Sequence, residues 1–225
     1  WPSAGGGVDA DGVTATAVDA NGNVYALGTF SGTAYFGEEV LHARGLTDVF
    51  VIKHEPGGKV LWAASAGGLL VDAGYDLVVD AAQNVYVVGS FMKEMKFQSD
   101  DDVFSGGGAL LELGRSGSIG RDWFVAKLDS QGGWQWARQV GYSAGGQQVG
   151  YALAIAPAVN DPINPMAAGV IVGGYAPCAE LAKEDDTVLN TLCDNKPIKV
   201  YRLDSDGGWI WTLTGGTAGT NAWIS

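Results

Sequence analysis

The sequence predicts an all-β fold built from stacked, four-stranded antiparallel units, and three observations predict it. The stretch VDANGNVYALGTFSG (Val18 to Gly32) has a near-copy, VDAAQNVYVVGSF (Val79 to Phe91), later in the chain. A tryptophan recurs at one place in a hairpin pattern, at Trp62, Trp136 and Trp211, and Trp1 fits the same place. No amphipathic helical pattern of useful length interrupts the short apolar, β-rich runs.

The elements follow in order within each repeat. The first is an apolar strand ending in a turn: ATAVDANGN (Ala15 to Asn23), DLVVDAAQN (Asp76 to Asn84) and, more weakly, YALAIAPAVN (Tyr151 to Asn160). Asn21-Gly22 predicts a two-residue hairpin turn with φ > 0 at both positions, while Ala82-Gln83 turns less ideally. The next strand is NVYALGTF, NVYVVGSF or AGVIVGGY, each with a glycine (Gly28, Gly89, Gly173) where a bulge or a close backbone approach is expected. A hairpin ends the unit. Its turns read EPGG, DSQGG and DSDGG, and its second strand carries Trp62, Trp136 or Trp211. The recurrence reads as packing between repeats. Trp134 and Trp209, with Val60 as their equivalent, stand two residues earlier and are expected on the same face, whereas Trp123 and Trp223 are less constrained.

Four antiparallel strands per repeat, stacked side by side, describe the blade of a β-propeller. The expected blades are residues 13–74, 75–148 and 149–216, with 1–12 and 217–225 belonging to partial blades at both ends. A single blade cannot hide both faces of its sheet, so repetition supplies its neighbours. Closed propellers have roughly 4–8 blades. The expectation is therefore that further blades of a longer chain, or other subunits, complete the ring. Otherwise each terminal sheet leaves an apolar face uncovered. The extra length at Met92 to Gly120, at Pro157 to Ala167 and around the cysteines is assigned to loops.

TATAVDANGNVYALGTFSGTAYFG followed by DVFVIKHEPGGKVLWAASAGG resembles the SBBP, or β-propeller repeat, family, and RDWFVAKLDSQGGWQWARQVGY is similar to the second half of that pattern. The likeness covers nearly the whole chain and is degraded in the third repeat, where Ala156 replaces the usual turn aspartate. It implies a propeller of secreted or surface-anchored proteins and no catalytic residue set. GKVLW (Gly58 to Trp62) is also similar to the blade motif of quinoprotein dehydrogenases.

Composition narrows the partners. With 25 acidic against 13 basic residues, a net charge of −12 and a pI near 4.4, the surface repels nucleic-acid phosphates and anionic membranes. No apolar run approaches the roughly 20 residues of a membrane span. Cys178 and Cys193 bound the polar loop AELAKEDDTVLNTL and read as a disulfide that ties it down, worth about 3 kcal/mol in the chain-entropy model. Such a bond places the protein in an oxidising compartment, and two free thiols would place it in a reducing one. Zinc is disfavoured, because His42 and His54 stand apart from the cysteines. Asp100, Asp101 and Asp102 are the best candidate for calcium, and DADG (Asp9 to Gly12) and DSDGG (Asp204 to Gly208) echo the start of calcium loops. Backbone demands of turns explain the same residues.

The leading function is a non-enzymatic extracellular or cell-surface module, structural, adhesive or protein-binding, whose partners are other blades, other subunits, or protein or glycan ligands at the loops. One alternative is the subunit of an extracellular polymer built by blade-to-blade contacts. The other is a propeller enzyme, an oxidoreductase or lyase, or a carbohydrate-binding module.

Overall fold

The computed structural model describes residues 5–98, 111–114, 120–140, 149–160, 168–175 and 198–215. They form an all-β molecule of antiparallel sheets. The first repeat holds β1 (Gly12–Val18), β2 (Val24–Phe30), β3 (Thr33–Phe36), β4 (Glu39–His42), β5 (Asp48–His54) and β6 (Val60–Gly67). The second holds β7 (Ala73–Val79), β8 (Val85–Met92), β9 (Glu94–Gln98), β10 (Leu111–Gly114), β11 (Arg121–Leu128) and β12 (Trp134–Val140). The third holds β13 (Val149–Ala156), β14 (Gly169–Tyr175), β15 (Ile198–Asp204) and β16 (Trp209–Gly215).

Each repeat makes one four-stranded meander, ordered β1-β2-β5-β6, β7-β8-β11-β12 and β13-β14-β15-β16. The strands β1, β7 and β13 lie against one another along a common inner edge. The hairpins inserted after the second strand behave differently from a plain loop. The β9–β10 hairpin leaves its own repeat and adds to the outer edge of the first sheet, where Gln98, Phe97 and Lys96 pair with Ser65, Ala66 and Gly67. The β3–β4 hairpin makes the same move one repeat earlier, since Gly6 bridges Tyr35 there as Gly67 pairs with Lys96 here.

The turns share one geometry. In those beginning at Asp19, Glu55, Asp80, Asp129 and Asp204, the N–H of the first residue donates to the carbonyl of the fifth, and the N–H of the fourth donates back to the first. The fourth residue is left-handed: Gly22 (φ 80°), Gly58 (91°), Gln83 (65°), Gly132 (85°) and Gly207 (79°). This is a type I turn closed by a glycine bulge, not the expected two-residue turn, because Asn21 keeps φ < 0. The aspartates recur for the same reason. Asp19, Asp80, Asp129 and Asp204 each use Oδ1 to accept the N–H groups two and four residues on, at 2.7–3.0 Å. That occupation explains the calcium-like spelling of DSDGG without a cation.

Bulges recur as well. The ladders skip Thr14, Tyr75 and Tyr151 in the inner strands, and Leu61, Gln135 and Ile210 in the outer ones. A bulge shifts the alternation by one, so residues two apart fall on opposite faces. Trp134 and Trp136 therefore do not share a face. The Trp136 indole reaches the third repeat and the Trp134 indole the first.

Three cores follow. One joins the first and second sheets through Leu27, Val51, Trp62, Val87, Phe124 and Leu128, with Met95 and Phe97 of β9 filling the wider outer part. A second joins the second and third sheets through Tyr86, Trp123, Trp136, Val172, Tyr201 and Leu203. The third lies on the outer face of the first sheet, where Ala34, Phe36 and Leu41 of the β3–β4 hairpin cover Ala26, Phe30, Phe50 and Ile52. The expectation of a bare apolar face there is corrected by this hairpin, which stands where β9 stands in the next repeat.

Gly28 and Gly89 are sites of close approach. A Cβ at either would fall within 3 Å of a neighbouring carbonyl (Gly12 or Ala73) and of a phenylalanine ring (Phe50 or Phe124). Gly173 is not their equivalent. A Cβ there meets open space, and the register places Gly174 opposite Gly150 as Gly89 stands opposite Gly74.

Candidate functional site

The surfaces built most regularly from the repeats are the seams between them. At the first seam the Trp62 N–H donates to the carbonyl of Ser130 (3.1 Å), and the ring lies over Gly132. At the second the Trp136 N–H donates to Ser205 (2.9 Å), and the ring lies over Gly207. Both tryptophans are buried, with 9% and 7% of their surface exposed. The left-handed glycine that closes each turn thus also seats the indole of the preceding repeat, because a Cβ would occupy the ring's space. Behind each indole stands a tyrosine of its own sheet, Tyr25 at 6.1 Å and Tyr86 at 6.0 Å. The hydroxyls donate to the turn aspartates Asp19 (3.0 Å) and Asp80 (3.3 Å). Burial first, and these carboxylates second, push both phenols well above their usual range.

Cations complete the seams. The buried Lys53 donates to Gln83 Oε1 (2.8 Å), and Lys127 to the carbonyl of Ser205 (2.9 Å), each over its tyrosine ring. Arg138 donates to the carbonyl of Gly207 (3.0 Å). A groove of about 500 Å³ runs along the second seam between Lys127, Arg138, Asp129 and Asp206. Its two cations are thus already engaged by the neighbouring turn.

The other predicted positions fall as follows. Trp211 stands opposite Arg202, the register at which Trp62 faces Lys53 and Trp136 faces Lys127, and it is half-buried. Trp134 donates to the carbonyl of Ser65 (3.1 Å) and stacks edge-on to Phe97 at 4.9 Å. Trp209 lies against Tyr201 and is 46% exposed. Trp123 is fully buried over Gly150. His42 meets Thr33 across the β3–β4 ladder (3.0 Å), and His54 faces the carbonyl of Gly58 (3.3 Å). Asp100, Asp101, Asp102, Cys178, Cys193, Trp1 and Trp223 lie outside the described residues. Among the described residues no three acidic, histidine or cysteine side chains gather around one point.

Sequence reasoning missed the aspartate clasps. Asp72 is fully buried, and its carboxylate accepts the N–H groups of Gly68 (2.6 Å) and Met92 (3.1 Å). It thereby ties the connection between the first two sheets to the end of β8. Asp11 accepts from Gly7 and Ser31 in the same way, one repeat earlier, so the repeat spacing itself was the available signal. The DADG stretch is accounted for by this clasp. Beside Asp72, Ser90 takes hydrogen bonds with Tyr75 (3.0 Å) and Arg121 (3.2 Å), and the bulged Tyr75 and Tyr151 stack at 5.6 Å.

The Asp72 carboxyl is pushed up to about 7 from 3.8, first by burial and further by Asp48, while the two N–H donors and Arg121 act the other way. A raised folded value favours the protonated form in the native state. The stabilisation it gives is complete below the unfolded value and is lost as pH rises through about 7. Melting temperature is expected to fall between about pH 4 and about pH 7 and to level off above, and Asp72→Asn to flatten that profile. An equally steep profile in the variant would assign the effect to other groups.

No protein-family model and no curated protein matches the chain.

Proposed function

We propose that the chain is an arc of a β-propeller that works outside the cell, secreted or on its surface, as a non-enzymatic structural, adhesive or protein-interaction module. The observation that carries this reading is the repeated seam. The same indole, the same glycine and the same carbonyl join the first sheet to the second and the second to the third. The sheets also meet along their first strands, large side chains fill the space between them, and β9 adds Met95 and Phe97 to the first gap. Wedge-shaped units of this kind stack around an axis. The residues that recur are thereby assigned to stacking, which leaves the working surface to the loops that differ between repeats.

The extracellular part of the proposal has its own test. Peptide mapping without reductant is expected to recover Cys178 and Cys193 as one linked pair, and protease added to intact cells of the source is expected to digest the chain. Two free thiols together with full protection would overturn the placement outside the cell.

A second reading, ligand binding at the inner edge, is favoured by one observation. Arg121, Ser90 and Tyr75 form a polar group in the second repeat that the first repeat lacks, since Thr47, Thr29 and Thr14 hold these positions there. Stacking does not require them. Titration of a panel of acidic and neutral oligosaccharides against wild type and Arg121→Ala separates the two readings, because only the second expects saturable binding that the variant loses.

A further inference from the structure

Gln83 stands where a glycine stands in the other turns of this geometry. The fourth residue is left-handed in all five, and Gly22, Gly58, Gly132 and Gly207 fill it elsewhere, whereas Gln83 carries a full side chain at φ 65°. Glycine is the unstrained choice there, and asparagine or aspartate the usual exception. Such strain persists only where the surroundings hold it.

The surroundings are the first seam. Gln83 lies in the turn between β7 and β8, and its Oε1 accepts from Lys53 Nζ of β5 at 2.8 Å. Lys53 is 4% exposed and lies over the Tyr25 ring. A buried ammonium without an acceptor is strongly destabilising, so this amide oxygen contributes more than one at the surface would. The bond joins two sheets through residues 30 apart in the chain.

The indole over its glycine is common to both seams, but the polar contacts beside it differ. At the second seam Lys127 donates to the Ser205 carbonyl, and Arg138 adds a bond to the Gly207 carbonyl. Ala64 holds the place of Arg138 in the first repeat, since it pairs with Val51 as Arg138 pairs with Val125. Gly22 holds the place of Gln83 in the first repeat and offers no side chain. Lys53 therefore needs a neighbour with an acceptor at this one position, and the first repeat of another copy, stacked there instead, would not supply it.

We infer that Gln83 is a specificity-determining residue of the first seam, kept in a strained conformation because its carboxamide caps the buried Lys53 and so selects the second repeat as the neighbour of the first. The inference rests on the stacked-seam reading above. Similar units that stack through the same indole can also stack out of order, and a mismatch that buries an uncapped charge rejects the wrong neighbour. The size of this preference is the difference in stability between glutamine and glycine at position 83, because glycine gives the second repeat the residue of the first.

The test is a cycle of Gln83→Gly, Lys53→Met and the two together in the 225-residue chain, read by denaturant midpoint. Gln83→Gly is expected to lower the midpoint although it removes a strained residue, because Lys53 loses its acceptor. In the Lys53→Met background the same change is expected to raise the midpoint, because only the relief of strain remains. The coupling is expected to change the unfolding equilibrium constant about tenfold. Gln83→Asn separates reach from strain without touching Lys53. Asparagine accepts the left-handed conformation more readily but is one methylene shorter, so it is expected to lower the midpoint as glycine does. A midpoint raised by Gln83→Gly or Gln83→Asn with Lys53 in place, or equal effects of Gln83→Gly in the two backgrounds, overturns the inference. Trp62→Ala tests the seam beneath it. A strong loss of stability in that variant with no Lys53–Gln83 coupling removes the specificity role alone, and a Trp62→Ala protein that melts like wild type removes the stacked-seam reading itself.

Discussion

Replacing Trp136 with alanine is expected to destabilise the protein by about 3–5 kcal/mol, the range for truncating a large buried aromatic. The indole fills the space between the second sheet and the turn at residues 204–208, and its N–H satisfies the Ser205 carbonyl. Its removal leaves a cavity over Gly207 and takes away the ring beneath Arg138. The melting temperature measures the effect, and Trp134→Ala is the comparison. Trp134 is more exposed but also joins two sheets, so its cost is expected to be smaller though still measurable. A Trp136→Ala protein that melts like wild type and has lost a ligand would assign the indole to recognition.

Gly89→Ala is expected to be nearly as damaging, about 2–4 kcal/mol, because the new methyl group meets the Ala73 carbonyl on one side and the Phe124 ring on the other. One obstacle is backbone in a paired strand, so it cannot move aside as a flexible side chain would. Gly173→Ala makes the contrast. It enters open space in a strand and is expected to be neutral or to stabilise by about 0.5–1 kcal/mol through reduced chain entropy. Denaturant midpoints of the two variants, read side by side, decide the point. Equal destabilisation would mean that the two glycines stand in equivalent surroundings after all.

That pair of glycines also shows where sequence reading stops. Gly173 and Gly174 are adjacent, and aligning AGVIVGGY by its letters selects the first, while the hydrogen-bonded register selects the second. The turns were legible because an aspartate that caps its own backbone and a glycine with φ > 0 leave a chemical spelling. The bulges were not. Gln135 reads as any outward-facing residue of a strand, and only the ladder shows that it is skipped and that Trp134 turns away from Trp136. The recurring tryptophans were legible as packing because a fixed place in every repeat is a requirement of stacking. The clasps at Asp11 and Asp72 join segments well separated along the chain, Asp11 to Ser31 and Asp72 to Met92, and a short pattern search does not look that far. The charge and composition bear on the kind of partner to expect and say nothing of which loop would act.

The crossing of β9 onto β6 carries a consequence for the order in which the chain can mature. During synthesis the first sheet has all four of its own strands once Gly67 has emerged, yet its outer edge stays open until Gln98 follows. The completed first sheet therefore contains residues from the next unit, and the first unit cannot finish without part of its successor. Repeat arrays usually behave as a row of separable modules coupled only at their faces. Here hydrogen bonds of the ladder itself cross the boundary, so unfolding one unit strips an edge from the unit before it. Excising residues 75–148 as a module would leave β6 without its β9 partner and the excised piece with an orphaned strand.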